Sequence, residues 1–84
     1  MNHNLPKVNE VKKFIDEHTR MANACKAVFE HRTGKAIDYQ MLQTPEFRHA
    51  IGFSTKKLNL TIAFREMRIE RLQNELERLL ITKE

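Results

Sequence analysis

The chain has 84 residues, of which 40% are apolar and 31% are charged, and it contains only two Gly and two Pro. A chain of this size forms one domain, and its composition excludes collagen, disulfide scaffolds and low-complexity disorder. Fifteen Lys and Arg against eleven Asp and Glu give a net charge of +4, with the excess in the middle of the chain. That excess suits a nucleic acid or an acidic protein partner, and equally an ordinary solvated surface.

A long amphipathic helix is predicted over residues 6–32. Its apolar positions alternate in steps of three and four, which lines one helical face: Val8, Val11, Ile15, Ala22, Cys25 and Phe29, widened by Phe14, Met21 and Val28. Asn4 is a suitable cap at the start, and Gly34 is a natural stop. His18 falls in step with the stripe, so we expect a core or interface histidine with one satisfied ring nitrogen.

Short helical pieces are predicted in the middle of the chain. Asp38 is suited to cap a turn of helix that ends at Leu42. Thr44 is followed by Pro45 and an acid, which is a stronger start signal because Pro favours the first helical position. Gly52 then ends this second piece after two turns, and the next residue, Phe53, is predicted to return to the core.

A second long helix is predicted over residues 54–82. Its first half is apolar on more than one side, which predicts that it lies inside the globular part: Leu58, Leu60, Ile62, Ala63, Phe64 and Met67. Over residues 66–82 a single seam remains, with the three-and-four spacing of a coiled coil: Ile69, Leu72, Leu76 and Leu79. Two heptads are too short to pair alone. The seam is therefore expected either to dock on the first helix or to form a dimer interface.

The segment 44–62 resembles the helix-turn-helix pattern of DNA-binding regulators. Phe47 and Ile51 stand at the apolar positions of a first helix, Gly52 stands at the turn, and Leu58 stands at the apolar anchor of a second helix. Such anchors fix two helices at a set angle, so that the second one can enter the major groove. Arg48 departs from the pattern, which prefers a small side chain there. An ordinary helix-to-helix corner remains the alternative.

If the segment reads DNA, the second helix supplies the base contacts. Asn pairs with adenine through two hydrogen bonds, Lys reaches guanine or phosphate, and Thr contacts a thymine methyl group or phosphate. The expected DNA-binding residues are Thr55, Lys56, Lys57 and Asn59, with Arg48 and His49 as contacts to the DNA backbone. Ordinary solvated lysines at a helix start are the competing interpretation, although cations there oppose the helix dipole.

No catalytic or metal-binding pattern is found. Cys25, the one cysteine, lies on an apolar helix face, where a neutral thiol is expected. The histidines lack metal-ligand spacing, and no glycine-rich loop could cradle a phosphate. We therefore expect a protein that is not an enzyme and has no cofactor or metal. A lone thiol and the lack of a signal peptide or long apolar run predict a cytoplasmic protein away from membranes.

The sequence thus predicts one all-α domain over residues 1–84, with two long helices near antiparallel, a short helical corner and a homodimer. The predicted core is Val11, Phe14, Ile15, Ala22, Cys25, Phe29, Phe47, Ile51, Leu58, Ile62, Ile69, Leu72 and Leu76. The predicted function is a small dimeric DNA-binding transcriptional regulator. The alternative is a helical protein-interaction module, such as an adaptor, assembly factor or inhibitor. A regulator exposes Lys56, Lys57 and Asn59, whereas an interaction module leaves an apolar patch open, along Ile69–Leu80 or beside Phe64 and Met67.

Overall fold

A computed structural model describes residues 5–81, and this part of the chain forms four helices and no strand. They are α1 (Leu5–Arg32), α2 (Tyr39–Leu42), α3 (Pro45–Ala50) and α4 (Thr55–Ile81). The predicted all-α fold with two long helices is confirmed, and the described ends agree to within one residue. The predicted cap Asn4 and the last residue of the predicted second long helix, Thr82, lie outside the described residues.

The two long helices pack against each other as an antiparallel hairpin. The Lys7 ammonium near the start of α1 lies 4.0 Å from the Glu75 carboxylate near the end of α4. Arg32, the last residue of α1, hydrogen-bonds the backbone just before α4. The hairpin is elongated, with extents of 52 × 24 × 17 Å, because each long helix runs about 40 Å at 1.5 Å per residue.

The end of α1 is fixed by Gly34, which has a φ of 91°. The Gly34 N–H donates to the His31 carbonyl at 3.1 Å, and the Lys35 N–H donates to the Glu30 carbonyl at 3.0 Å. This pair of bonds is the Schellman arrangement, in which a left-handed residue turns the chain back over the last helical carbonyls. A side chain here would be strained by the backbone conformation, so the predicted stop is confirmed for the expected reason.

The starts of the three later helices are also set by local polar side chains. The Asp38 carboxylate accepts from the backbone N–H two residues later at 3.0 Å, before α2. The Thr44 hydroxyl accepts from the Phe47 backbone N–H at 3.2 Å, just before α3 begins at Pro45. The Ser54 hydroxyl accepts from the Lys57 backbone N–H at 3.1 Å, just before α4 begins. Each cap satisfies a backbone donor that has no partner within its helix.

The main core lies at the closed end of the hairpin, where α3 packs on α1. Its buried members are Met21, Ala24, Cys25, Ala27, Val28, Phe47, Ala50 and Leu58. Small residues dominate the α1 side, which lets neighbouring helices approach closely. Phe29 and Ile62 are half-buried and pack against this core. Toward the other end of the hairpin, Val8, Val11 and Ala22 are buried, and the remaining contact consists of half-buried side chains: Ile15, Ile69, Leu72 and Leu76.

Two residues predicted for the core are exposed. Phe14 is 42% exposed, because it continues the Met21 and Val28 side of α1 beyond the reach of α3, which has only six residues. Ile51 is 40% exposed, because it follows the last turn of α3 at the surface. The prediction that both lie in the core was therefore wrong.

The expectation that the first half of α4 lies inside the globular part is met on one of its two apolar sides and is wrong for the other. Leu58 is completely buried, yet Leu60, Phe64 and Met67 are 61%, 52% and 46% exposed. One long helix can cover only one side of another. Because α1 occupies the Leu58 side, the opposite apolar side of α4 stays open.

Candidate functional site

The closed end of the hairpin is organised by Arg32. Its guanidinium donates to the carbonyl oxygens of Ile51 and Phe53, at 3.0 and 2.5 Å. These carbonyls belong to the turn between α3 and α4, so one side chain from the end of α1 ties that turn in place. Sequence reasoning did not identify this residue. Its role depends on where the end of α1 meets a turn some twenty residues further along the chain, and no local signal encodes that meeting.

Phe53 forms a platform between two of the predicted DNA-binding residues. The His49 ring packs edge-on against the Phe53 ring, with centroids 5.1 Å apart. The Lys57 ammonium lies 4.3 Å from the centroid of the same ring, within the range of a cation–π contact. The structure thereby brings His49 and Lys57 together through an aromatic side chain that was predicted only to fill the core. Phe53 is half-buried, so it serves both purposes.

All six predicted DNA-binding residues are exposed at or near this end of the molecule: Arg48, His49, Thr55, Lys56, Lys57 and Asn59. The first turn of α4 contains no acidic residue to offset its lysines. With Lys35 beyond the end of α1, this end of the hairpin is rich in cations. We call it the basic end.

The turn itself departs from the helix-turn-helix pattern in three ways. Gly52 does not have a positive φ, and a Cβ added to it would meet no atom within 4 Å. Ile51 is at the surface, where the pattern wants an apolar anchor. In addition, α3 packs on α1 and makes little contact with α4. The two helices of segment 44–62 therefore meet through the core that they share with α1, where Phe47 and Leu58 both lie, and the turn between them does not require a glycine.

The coiled-coil-like seam of α4 runs along α1 within the same chain. All four of its residues are half-buried: Ile69, Leu72, Leu76 and Leu79. Since α1 is the only described element beside this half of α4, α1 provides the cover. Of the two expectations for the seam, docking on the first helix is therefore found. A dimer interface through these residues stays a prediction.

The open face of α4 lies on the side opposite α1. Leu60, Phe64 and Met67 recur in steps of four and three, so they line one stripe along two turns. We call these three residues the apolar stripe. The sequence contained its signal, since the first half of α4 is apolar on two sides. That signal was interpreted as complete burial because nothing in the sequence says how many neighbours a helix has.

His18 lies in the middle of the α1–α4 contact, half-buried, with its Nδ1 3.0 Å from an Arg65 guanidinium nitrogen. A guanidinium only donates hydrogen bonds, so Nδ1 accepts and the ring is neutral. The pKa of His18 is lowered from its ordinary value of 6.5 by burial first and then by the charges of Arg65 and Arg68, against a smaller opposing effect of Glu17. The expectation of a satisfied interface histidine is confirmed.

Cys25 is buried in the core, and burial raises the pKa of its thiol, partly opposed by the charge of Arg65. The side chain is therefore a neutral thiol, as expected for this position. Among residues 5–81, no three His, Cys, Asp or Glu side chains come together in a way that could hold a metal ion. Over the same range, no helix has the length and apolar character needed to cross a membrane.

No protein family, no curated protein and no solved structure is significantly similar to this chain. Candidate functions therefore depend on the two surface features described above. These are the basic end and the apolar stripe, and they share the first half of α4.

Proposed function

We propose that this protein is a helical protein-interaction module and that the apolar stripe of α4 is its binding surface. The observation that carries the proposal is the exposure of Leu60, Phe64 and Met67 in a row on a regular helix, on the side away from α1. Scattered apolar residues on a surface are normal, but aligned large ones indicate a contact. Partner helices are recognised through anchors at this helical spacing.

The side chains of the stripe are also suited to binding. Aromatic residues, Met and Arg are enriched in protein interfaces, and the stripe offers Phe64 and Met67 with Arg71 one turn further along. Burial of a Leu, Phe or Met side chain contributes about 1.5–3 kcal/mol when it starts fully exposed. Three side chains that start half-exposed would therefore supply several kcal/mol to a complex. By contrast, exposed lysines are ordinary on any soluble surface, so the basic end alone carries less weight.

Site-specific photo-crosslinking in the cells that express the protein tests this proposal. The photoreactive residue p-benzoylphenylalanine is placed at position 64, and a matched chain carries it at position 13 on the exposed side of α1. We expect a discrete protein adduct from position 64 that is absent from position 13 and is lost when Leu60 and Met67 are both changed to Ser. Equal adduct patterns from both positions, or no adduct at position 64, would refute the proposal.

DNA binding by a homodimer is the second candidate, favoured by the exposure of Lys56, Lys57 and Asn59 together at the basic end. In this function Asn59 and the lysines contact bases, and Arg48 contacts the DNA backbone. The departures of the turn from the helix-turn-helix pattern place it second. Its support is thus a set of accessible side chains rather than a locked helical pair.

Fluorescence anisotropy with a labelled random duplex at several salt concentrations tests DNA binding. Micromolar affinity that falls log-linearly with salt, and is lost in Lys56→Glu/Lys57→Glu, is expected of a DNA-binding protein. The matched control is Lys12→Glu/Lys13→Glu, which makes the same charge change on α1. Equal weakening by both double variants would reveal attraction by net charge alone and would remove the second candidate.

A further inference from the structure

We infer that the partner of the apolar stripe is an acidic amphipathic helix of another protein and not a second copy of this chain. This inference rests on the proposed function, since it names the class of partner that the same surface takes. It follows from the positive charges that surround the stripe, because pairing two copies of the chain would place these like charges against each other.

Cations stand at both ends of the stripe. Lys57 lies one turn before Leu60, and Arg71 lies one turn after Met67; both are exposed. At about 100° per residue, Arg71 falls almost in line with the stripe, with Lys57 to one side of it. Lys56 falls to the other side, and exposed Arg68 borders the stripe further round α4.

The acidic residues of this stretch lie further from the stripe. Glu66 is turned toward the α1 side, where its carboxylate pairs with the Lys26 ammonium at 2.6 Å. Glu70 is exposed at the border, about a quarter turn from the stripe. The surface that a partner would cover is therefore apolar in the middle and positively charged at both ends.

Pairing between two copies would bring like charges together. In a parallel pair, each layer of one helix meets the same layer of the other, so Lys57 meets Lys57 and Arg71 meets Arg71. In an antiparallel pair centred on Phe64, Lys57 of each copy meets Arg71 of the other, since both lie seven residues from the centre. Like charges placed against each other across an interface disfavour that partner.

A helix with acidic ends avoids that conflict. It would lay apolar side chains at helical spacing over Leu60, Phe64 and Met67 and set carboxylates near Lys57 and Arg71. These two residues are 14 positions apart, about 21 Å along the helix axis. The partner segment therefore needs about four helical turns, with acidic residues toward both ends and an apolar stripe between them.

Selection from a displayed helical peptide library tests the inference on the full chain. The library fixes apolar residues at positions i, i+4 and i+7 and randomises the flanking positions. We expect the selected peptides to be enriched in Asp and Glu at both ends. Affinity for one such peptide should fall at least tenfold in Phe64→Ser and at least tenfold in Lys57→Glu/Arg71→Glu, while the matched Lys12→Glu/Lys13→Glu control changes it little.

The possible results separate this inference from the function on which it rests. Selected peptides that depend on Phe64 but show no acidic preference would overturn the acidic partner and leave the interaction module standing. A dimer in sedimentation that Phe64→Ser dissociates, with no peptide selected, would identify a second copy and also overturn the inference. A monomer with no Phe64-dependent binding to peptides would overturn both, as would Phe64-dependent binding to anionic lipid vesicles alone. Thermal melting confirms beforehand that each variant is folded.

Discussion

Leu58 and Leu60 provide the sharpest test of how α4 is oriented. The two leucines are two positions apart on one helix, yet Leu58 is completely buried and Leu60 is 61% exposed. Leu58→Ala leaves a cavity in the core beside Cys25, Val28 and Phe47. Core substitutions of this kind cost about 2–5 kcal/mol. The same change at Leu60 removes little buried surface and should stay within about 0.5 kcal/mol.

The expected loss at Leu58 is large compared with the total stability. A chain of this length has a free energy of unfolding of about 4–13 kcal/mol, so Leu58→Ala would remove a quarter or more of it in most of that range. At about 4–8 °C per kcal/mol for a domain of this size, a loss of 3 kcal/mol lowers Tm by about 12–24 °C. Helix propensity does not affect the comparison, because both variants make the same exchange of Leu for Ala in the interior of the same helix.

Thermal and urea unfolding, followed by far-ultraviolet circular dichroism at two protein concentrations, measures both variants. Leu58→Ala should unfold early at either concentration, and Leu60→Ala should follow the parent chain. If Leu60→Ala costs as much as Leu58→Ala at both concentrations, the described orientation of α4 is refuted. A loss in Leu60→Ala that appears only at high concentration would reveal self-association through the apolar stripe.

Three further outcomes follow from the structure. Because the pKa of His18 is lowered on folding, the unfolded chain binds a proton more readily than the folded chain. The contribution of His18 to the free energy of unfolding is therefore fully present above pH 6.5 and falls as the pH drops below that value. The Tm difference between the parent chain and His18→Gln should shrink on acidification, and parallel curves of Tm against pH would contradict this. Cys25 should react with a thiol reagent far more slowly in the folded chain than in urea, and rapid complete labelling of the folded chain would exclude its burial. Arg32→Met should lower stability by about 1 kcal/mol through the lost bonds to the α3–α4 turn. The loss should exceed that of the comparison variant Arg20→Met, which removes an exposed pair with Asp16 and a 4.0 Å contact with half-buried Glu46; equal losses would show that the turn does not depend on Arg32.

The helix ends could be predicted because their causes are local. Gly34 ends α1 through its own left-handed φ, and Thr44 and Ser54 open α3 and α4 through hydrogen bonds that reach only three residues. Such signals do not depend on the rest of the fold. Gly52 also follows the end of α3, but the chain there adopts an ordinary backbone conformation, so a glycine is not required at this turn as it is at Gly34.

Burial could be predicted only where a helix has one apolar face. The α1 stripe through Val11, Ala22 and Cys25 is buried as expected. Phe14 is not, because its cover had to come from α3, and the length and position of α3 fix how far that cover extends. In the candidate site, the predicted DNA-binding residues are exposed as that function requires. Arg32 and Phe53 were missed as organisers because both act across elements that are distant in sequence.

The amphipathic pattern of α4 explains why one of its faces is covered by α1 and the other stays exposed. Its seam, Ile69 to Leu79, has one apolar side, and α1 covers it. Its first half has two apolar sides, and the small residues of α1 draw the Leu58 side into the core, which leaves Leu60, Phe64 and Met67 facing away. A second copy is the simplest cover for such a face, but the cations at both of its ends oppose that solution. Lys57, which was first predicted to contact DNA, and Arg71 therefore favour a partner that brings its own acidic residues to the stripe.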